Sequence, residues 1–311
     1  MRRSTVTIMQ IVVHDTVSQL EELLTRPIEQ RPDALREILE PLTGMFATIG
    51  VPMRGDESMP FDAVAMHTAG GSGFPLDRDD DRLSAALELM RERDVLGGMR
   101  RALAEAWAHQ LAATPDIAHP DELHVVTVLG NPDDDHLLER SGGYLGFGGI
   151  PGFVHLTVWP DTSTVDRLAY CAVHELNHNM RYANVVWNPE TVTVGEQSVG
   201  EGLAEAFVGE LYGPDAMGVW STRLTGAAYE QAEVKLLADI DVAGQWNLTP
   251  YVHGDATAVR MGQEPVGLPD HAGYAVGRRI VERHCAASGR TVAESTALPL
   301  EEILVNAGVR G

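Results

Sequence analysis

Apolar residues recur with a helical period through much of the first third of the chain. Residues 17–24, 32–49 and 83–111 show this pattern, which is typical of helices that bury one face. The last of these stretches contains Gly97 and Gly98, and two adjacent glycines predict a break in the helix there. The pattern therefore predicts a mainly helical N-terminal region.

Strand-like patterns replace the helical period in the middle of the chain. Residues 122–130 and 153–160 each predict a β-strand, and residues 5–13 predict a first strand near the N-terminus. Between the two middle strands, residues 142–149 (GGYLGFGG) predict a glycine-rich turn or an irregular strand. Residues 51–81 are rich in Gly, Pro and Asp, which predicts an exposed loop.

Helical periodicity returns after these strands and dominates the remainder. The letters STVD at Ser163 predict a helix start, since a serine with an acid three residues later forms a capping box. A small mixed sheet with a helical N-terminal region and a mostly helical C-terminal part indicates an α+β fold. We expect the chain to divide into regions 1–115 and 116–311, with a boundary that the sequence does not place sharply. One compact domain is the alternative. The predicted later helices are residues 163–182, 199–212, 227–240, 274–287 and a short one near residue 300.

The composition is that of a globular protein with an acidic surface. Of 311 residues, 44% are hydrophobic and 22% charged, which is ordinary for globular domains. The formal net charge of −22 at pH 7 repels the phosphate backbone of nucleic acids. No apolar run is long enough to span a membrane. We therefore expect neither nucleic acid nor a membrane as a partner.

The cysteines and the first residues bear on the cellular compartment. Cys171 and Cys285 are too few for a disulfide framework. The start, MRRSTVTIMQIVV, superficially resembles a secretory signal, but Gln10 interrupts its apolar stretch and no small-residue cleavage site follows. We therefore expect a cytoplasmic protein with reduced cysteines.

The stretch YCAVHELNHNM contains the motif His-Glu-x-x-His at His174, Glu175 and His178. Residues four positions apart lie on one face of a helix, so the two imidazoles can bind one Zn²⁺. Glu175 flanks such a metal without having to bind it. That is the position where a general base for an activated water is needed.

A catalytic zinc site usually has three protein ligands and a water, so a third ligand is required. The longer motif His-Glu-x-x-His-x-x-Gly-x-x-His does not supply it, because Arg181 and Asn184 occupy the positions of its glycine and last histidine. The downstream segment GEGLAEAF offers Glu201 and Glu205 on one helix face. We predict that Glu201 is the third ligand and that Glu205 accepts the free N–H of a liganding histidine.

Both motifs also have a simpler interpretation. A His-Glu-x-x-His match arises by chance in roughly a few per cent of chains of this length, and glutamates four apart are common on exposed helix faces. Here, however, both motifs are embedded among apolar residues. Burying several ionisable groups is unfavourable unless they are paired or bind a metal. The combination favours a site for one zinc ion.

The segments AVHELNH and GEGLAEAF resemble the gluzincin class of zinc metallopeptidases, and GEGLA is similar to the Asn-Glu-Gly-x-Ala segment of the M1-type aminopeptidases. From about residue 123 onward, the chain resembles more closely an uncharacterised bacterial family of predicted Zn-dependent proteases. The resemblance implies a zincin-like fold for residues 116–311. It also implies His174, His178 and Glu201 as zinc ligands and Glu175 as the general base.

The chain departs from these relatives in two places. In HAGYAVGRR, Arg278 stands where a second aromatic residue is expected, so the pocket there can differ. The Gly-x-Met-Glu-Asn element of the exopeptidases is absent from the sequence, which argues against a true M1-type aminopeptidase.

Peptide hydrolysis also needs a hydrogen-bond donor for the oxyanion. Tyr274, which opens a helix among small residues, is our candidate, and a tyrosine of the core is the alternative. His271 and His253 are the other candidates for this task, although lone histidines in loops are usually surface residues.

The glycine-rich segment 142–149 predicts a shelf for substrate, because an extended peptide can add as a strand to an exposed sheet edge. Gly143 and Tyr144 are the predicted substrate-binding residues of this shelf. A flexible hairpin connection is the alternative.

We therefore expect a zinc-dependent peptidase that acts on a peptide or protein, with Glu175 as the base for the attacking water. A zinc-dependent amide or ester hydrolase of small molecules is one alternative, since the same site serves both. A non-catalytic zinc-binding module that recognises a partner is another. Such a structural site has a fourth protein ligand in place of water, and Cys171 is the candidate for it.

Overall fold

A computed structural model of the chain describes residues 9–311, and its first part is mainly helical as predicted. Residues 5–8 of the predicted first strand lie outside the described residues. Residues 51–81 form mostly irregular structure, with one short helix among them. The elements of this part are β1 (Gln10–Val13), α1 (Thr16–Thr25), α2 (Arg31–Leu39), α3 (Thr43–Thr48), α4 (Ala63–Thr68), α5 (Asp81–Glu92) and α6 (Val95–Ala113).

Three strands and nine helices follow in the described part of the chain. A π-helical turn, His136–Arg140, precedes the second of these strands. The elements are β2 (Glu122–Leu129), β3 (Tyr144–Phe147), β4 (Phe153–Val158), α7 (Leu168–Asn184), α8 (Val194–Tyr212), α9 (Val219–Thr222), α10 (Gly226–Ala238), α11 (Thr249–Val252), α12 (Asp255–Arg260), α13 (Ala272–Ser288), α14 (Val292–Ser295) and α15 (Leu300–Asn306).

The four strands form one mixed sheet in the order β1-β2-β4-β3. β1 and β4 both run parallel to β2, whereas β3 runs antiparallel to β4. The predicted α+β fold with a small mixed sheet is thereby confirmed. β3 lies at the edge of this sheet, and within residues 9–311 no strand pairs with its outer side, where another extended chain can add.

The core is continuous between the sheet and the helices. α7 packs against β3 and β4 on one side and against α6 and α8 on the other, and α8 packs closely against α13. Buried apolar side chains from the N-terminal helices, such as Leu35 and Leu87, belong to the same cluster as Val125 and Leu176. The division into regions 1–115 and 116–311 remains a prediction.

The helix break predicted at Gly97-Gly98 is wrong by a few residues. α5 ends at Glu92, and the chain turns at Asp94, whose φ is 48°. Gly97 and Gly98 lie in the first turns of α6. A Cβ at Gly97 would come within 2.2 Å of the Asp94 carboxylate. The glycine therefore makes room for the side chain that precedes the helix rather than interrupting the helix.

The motif helix begins later than predicted. Asp161, not Ser163, accepts hydrogen bonds from the backbone N–H groups of Ser163 and Thr164. A short 3₁₀ turn, Val165–Arg167, follows before α7 begins at Leu168. The predicted capping box is therefore replaced by an aspartate-capped turn. Conversely, α8 begins five residues earlier than predicted, because the Thr193 side chain caps it.

The helices of residues 9–311 include none that is both long and apolar enough to cross a lipid bilayer.

Candidate metal centre

α7 places both histidines of the motif in the interior. Residues 171–181 are buried without interruption, because the helix lies between the sheet and α8. The Nε2 atoms of His174 and His178 lie 3.1 Å apart. The two imidazoles thus converge on one side of the helix, as the i, i+4 spacing predicts.

α8 brings a carboxylate to the same point. Glu201 Oε2 lies 3.1 Å from His178 Nε2 and 3.3 Å from His174 Nε2. With metal–ligand bonds of about 2.0–2.1 Å, neighbouring ligand atoms of a tetrahedral zinc site lie roughly 3.3 Å apart. The three atoms thus have the mutual spacing of three ligands on one zinc ion, and two histidines with one glutamate are a donor set of catalytic zinc sites.

The charge of this cluster also fits a divalent cation. Two imidazoles and three carboxyl groups are packed together, each at most 6% exposed. Buried carboxylates are stabilised only by compensating positive charge or hydrogen bonds. One Zn²⁺ beside two neutral imidazoles supplies two positive charges at a single point between these carboxylates, without protonating either buried ring. The members are His174, Glu175, His178, Glu201 and Glu205.

Among the described residues, no fourth His, Cys, Asp or Glu joins His174, His178 and Glu201 in this ligand group. Cys171 is buried as a free thiol one turn before His174 and is not a member of the group. The arrangement leaves room for water or substrate at a fourth position, which is the arrangement of catalytic zinc sites.

Neighbouring side chains hold His174 in position. His174 Nδ1–H donates to Glu205 Oε1 at 2.9 Å. Glu205 Oε2 in turn accepts from the Gly218 backbone N–H at 2.7 Å and from the Ser221 hydroxyl at 2.6 Å. This series of hydrogen bonds directs His174 Nε2 at the candidate metal position, as a carboxylate–histidine pair does in zinc enzymes.

Glu201 has its own support, which the sequence interpretation did not include. The Gln197 side-chain amide donates to Glu201 Oε1 at 2.9 Å, and the Trp187 indole donates to Gln197 Oε1 at 3.1 Å. Gln197 lies one helical turn before Glu201, so the i, i+4 spacing could have identified it. Trp187 could not have been found in this way, because it lies in the loop between α7 and α8.

The electrostatics agree with a shared positive charge at this point. Burial lowers the pKa of His174, but its hydrogen bonds with Glu201 and Glu205 outweigh that effect and hold the pKa well above its ordinary value. Burial raises the pKa of Glu201, but His178 and His174 outweigh it and hold the pKa well below the usual range. The pocket thus attracts positive charge, which a proton or a metal ion can supply.

Glu175 lies against the glycines that follow the start of β3. A Cβ at Gly146 would come within 2.0 Å of Glu175 Oε1, and one at Gly148 within 2.4 Å of the Glu175 backbone oxygen. Only glycine lets the edge strand approach this carboxylate so closely. Burial raises the pKa of Glu175, and the two histidines partly offset the increase. A raised pKa suits a group that must accept and release a proton near neutral pH.

Tyr274 lies at the candidate metal position because α8 and α13 cross at glycines. A Cβ at Gly202 would come within 2.2 Å of the Gly277 backbone. The Tyr274 ring stacks near the His174 ring, with the centroids 6.3 Å apart. Burial, followed by the charges of Glu201 and its neighbours, raises the pKa of Tyr274 well above its ordinary value, so its hydroxyl remains protonated and can donate a hydrogen bond.

The two other oxyanion candidates are not surface residues. His271 is buried, and its Nε2–H donates to the Arg140 backbone oxygen at 3.1 Å. His253 is half-buried beside the Tyr274 ring. The expectation that both lie on the surface is wrong, because the loops that carry them pack against α13 and the segment before β3.

Gly143 and Tyr144 lie at the far end of β3 from Glu175. Gly143 has a φ of 86° and pairs its backbone with Leu137 and Trp159 in the turn before β3. The Tyr144 side chain is buried against Trp220. Their role as substrate-binding residues stays a prediction. The members of the glycine-rich segment that line the cleft at the metal position are residues 146–149.

Arg278, which departs from the expected aromatic residue, does not point into this cleft. Its guanidinium donates to the Ser221 backbone oxygen at 3.2 Å and pairs with Glu282. Arg278 therefore fastens α13 to α9 and adds no charge to the site.

Arg181, at the position where the longer zinc motif has glycine, joins the two helices that carry the ligands. Its fully buried guanidinium pairs with Glu196 at 2.7 Å and donates to the backbone oxygens of Thr296 and Leu298. Glu196 belongs to α8 and lies five residues before Glu201. The arginine is thus a positioning residue between α7, α8 and the C-terminal segment.

We expect Arg181→Met to lower the free energy of unfolding by about 3–5 kcal/mol, because it leaves Glu196 buried without its partner. Urea denaturation followed by circular dichroism measures this. The double variant Arg181→Met with Glu196→Leu is the control, since apolar replacement of both partners of a buried pair is often neutral. Equal losses in the single and double variants would contradict the assignment.

Together, the mixed sheet, the buried His-His-Glu group and the adjacent Glu175 define a candidate hydrolytic metal centre in an α+β protein. Comparison with family models agrees with this class. Residues 104–305 match the model of the family described as Predicted Zn-dependent protease (DUF2268). Because the match spans more than half of the chain, the protein belongs to that family.

Two relatives from Bacillus subtilis (strain 168) are similar in sequence. The Uncharacterized protein YjfC is 29% identical over 306 residues, which cover 97% of this chain and 99% of the relative. The Uncharacterized protein YjaZ is 29% identical over 132 residues, which cover 42% of this chain and 47% of the relative. No solved structure matches the chain. The first relative shares the N-terminal third, which the family model does not cover.

Proposed function

We propose that this protein is a gluzincin-type zinc peptidase that hydrolyses peptide bonds with Glu175 as the general base. The observation that carries the proposal is the buried group of His174, His178 and Glu201, with Glu175 beside it and no fourth protein ligand among the described residues. A structural zinc site has no use for an additional buried carboxylate. Membership of a family of predicted Zn-dependent proteases supports the same class of reaction.

His174, His178 and Glu201 are the residues that would hold the metal. A bound zinc ion supplies Lewis acidity, which polarises a peptide carbonyl and acidifies water. Glu175 accepts a proton from the attacking water at its carboxylate. The water oxygen bonds to the carbonyl carbon, the C–N bond breaks, and Glu175 returns the proton to the leaving amine.

The substrate backbone pairs with β3 in this proposal. β3 is an edge strand, and Gly146 and Gly148 bring its backbone next to Glu175. A peptide that adds to this edge is held by main-chain hydrogen bonds. Its scissile bond then lies beside Glu175 and the metal ligands, which favours a peptide over a small molecule as the substrate.

Tyr274→Phe should lower kcat/KM about 100- to 1000-fold, because the variant loses one donor to the oxyanion. Zinc content should stay unchanged, since Tyr274 is not a ligand in this proposal. Quenched time-course assays with a peptide substrate measure the rate. Tyr229→Phe, the same change at a half-buried site on α10, is the control. Loss of zinc together with activity would instead make Tyr274 a ligand.

Metal analysis combined with a peptide-library digest tests the proposed function. The purified protein should bind one zinc ion per chain, and mass spectrometry should find cleaved peptides only when zinc is present. A protein that binds zinc and cleaves small amides or esters but no peptide would support the small-molecule hydrolase instead. Zinc binding without any hydrolysis would support the partner-recognition module.

A further inference from the structure

A second cavity adjoins the candidate metal centre. It has a volume of 560 Å³, which is within the range of ligand-binding pockets. It shares Gly146 and Tyr274 with the cleft that contains the metal ligands. Residues of the edge strand β3 line both spaces, so a group bound in this cavity lies next to the cleft of the metal ligands.

The walls of this cavity are largely aromatic and apolar. Leu145 of β3, Trp220 of α9 and Tyr274 of α13 form its inner side. The side chain of Met261, just after α12, lines it as well and is mostly exposed. Such surfaces bind apolar side chains by removing both partners from water.

The outer wall comes from the N-terminal third, residues 69–72. Arg260 of α12 holds this wall. Its guanidinium donates to the Gly70 backbone oxygen and to the Ser72 hydroxyl, and it pairs with Asp134 at 2.7 Å. The family model begins only at residue 104. This wall is therefore contributed by a part of the chain outside the region that the family model describes.

The charged groups of the cavity are already engaged. The Arg260 guanidinium pairs with both Asp134 oxygens and donates to Gly70 and Ser72, so its donors are already engaged. His271 donates to a backbone oxygen. Burial lowers its pKa to about 4 and also lowers the pKa of His253 and His136, so the imidazoles are neutral. The cavity therefore offers no free charge to a substrate terminus or to an ionised side chain.

We propose that this cavity is the specificity pocket of the enzyme and that it receives a large uncharged side chain, aromatic or aliphatic, next to the scissile bond. The inference rests on the proposed peptidase function and names its substrate class. Because neither terminus of a substrate finds a charged partner in the described walls, the enzyme cleaves bonds in the interior of a chain.

The geometry of strand addition supports this assignment. Side chains alternate between the two faces of a strand, and a peptide paired with β3 follows that alternation. Leu145 lines only the pocket, whereas the neighbouring Gly146 lines both the pocket and the metal cleft and approaches Glu175. Two neighbouring peptide residues beside the scissile bond therefore point in opposite directions. One side chain enters the pocket, and the other faces the metal cleft.

Thr257→Trp tests the pocket, with Val259→Trp as the matched control. Both residues lie on α12, but Thr257 lines the pocket whereas Val259 is 62% exposed and does not. The substrates are Ala/Gly peptides that contain one phenylalanine, one aspartate or neither, each acetylated and amidated and also with free termini. Mass spectrometry gives the cleavage positions and the relative rates.

The wild-type enzyme and Val259→Trp should cleave next to phenylalanine at least about 10 times faster than the peptides that lack it. Thr257→Trp should lose this preference because the indole fills the pocket, while it still cleaves the Ala/Gly peptide. Equal preference in Thr257→Trp and the wild type would overturn the pocket. Preference for aspartate, or cleavage only of peptides with a free terminus, would overturn it as well.

A binding measurement separates the pocket from the proposed reaction. Isothermal titration calorimetry on the zinc-loaded Glu175→Gln variant needs no turnover. If phenylalanine peptides bind at least about 10 times more tightly than alanine peptides, and Thr257→Trp removes that difference, the pocket stands even if the wild type cleaves nothing. If the wild type cleaves peptides without any such preference, the peptidase stands and the pocket fails.

Discussion

Glu175→Gln is expected to lower the rate of peptide cleavage by about 100- to 10,000-fold, the usual contribution of a general base. The amide is nearly the same size as the carboxyl group, so the close contact with Gly146 is retained. It cannot accept the proton of the attacking water. Zinc content should be unchanged, because the Nε2 atoms of His174 and His178 and the carboxylate of Glu201 are intact.

Three measurements check this expectation: cleavage rate, zinc per chain by atomic emission, and the circular dichroism spectrum. Glu264→Gln, the same change at an exposed position, is the control and should retain full activity. A Glu175→Gln protein that keeps its zinc, its spectrum and its turnover would remove Glu175 from the role of base. Lost zinc would instead indicate that Glu175 binds the metal.

Glu201→Gln is expected to weaken zinc binding by more than about 100-fold. Glu205→Gln is expected to weaken it by about 10- to 100-fold, the range found for partners that orient a ligand. Both changes remove one buried negative charge from α8. Only Glu201 places an oxygen 3.1 Å from His178 Nε2, whereas Glu205 acts through His174 Nδ1.

Competition with a fluorescent zinc chelator measures both affinities at one pH. Zinc should also raise the melting temperature of the wild type by mass action and have little effect on Glu201→Gln, because only a protein that binds the ion in its native state is stabilised by it. If the two variants lose zinc equally, or if Glu205→Gln loses more, the assignment of ligand and supporting residue must be exchanged.

The N-terminal third contributes both to the sheet and to the second cavity. Its strand β1 joins the sheet, and residues 69–72 form the outer wall of the second cavity. The relative YjfC aligns with 97% of the chain, including this region.

The sequence by itself determined the local part of the candidate site. Helical periodicity places His174 and His178 on one face wherever the helix lies, and the same rule puts Glu201 and Glu205 one turn apart. The α+β class followed from a short block of strand-like residues between helical ones. These predictions depend only on the spacing of residues within an element, which the printed chain contains.

Only the tertiary structure decided which elements meet. The distance between Glu201 and the histidines depends on how α8 packs on α7, and Arg181 with Glu196 sets part of that packing. Tyr274 lies beside His174 because Gly202 and Gly277 let α8 and α13 approach. Contacts between residues far apart in the sequence carry no periodic signal in a single chain. The pocket wall at residues 69–72 and the support of Glu201 by Trp187 therefore appeared only in the folded protein.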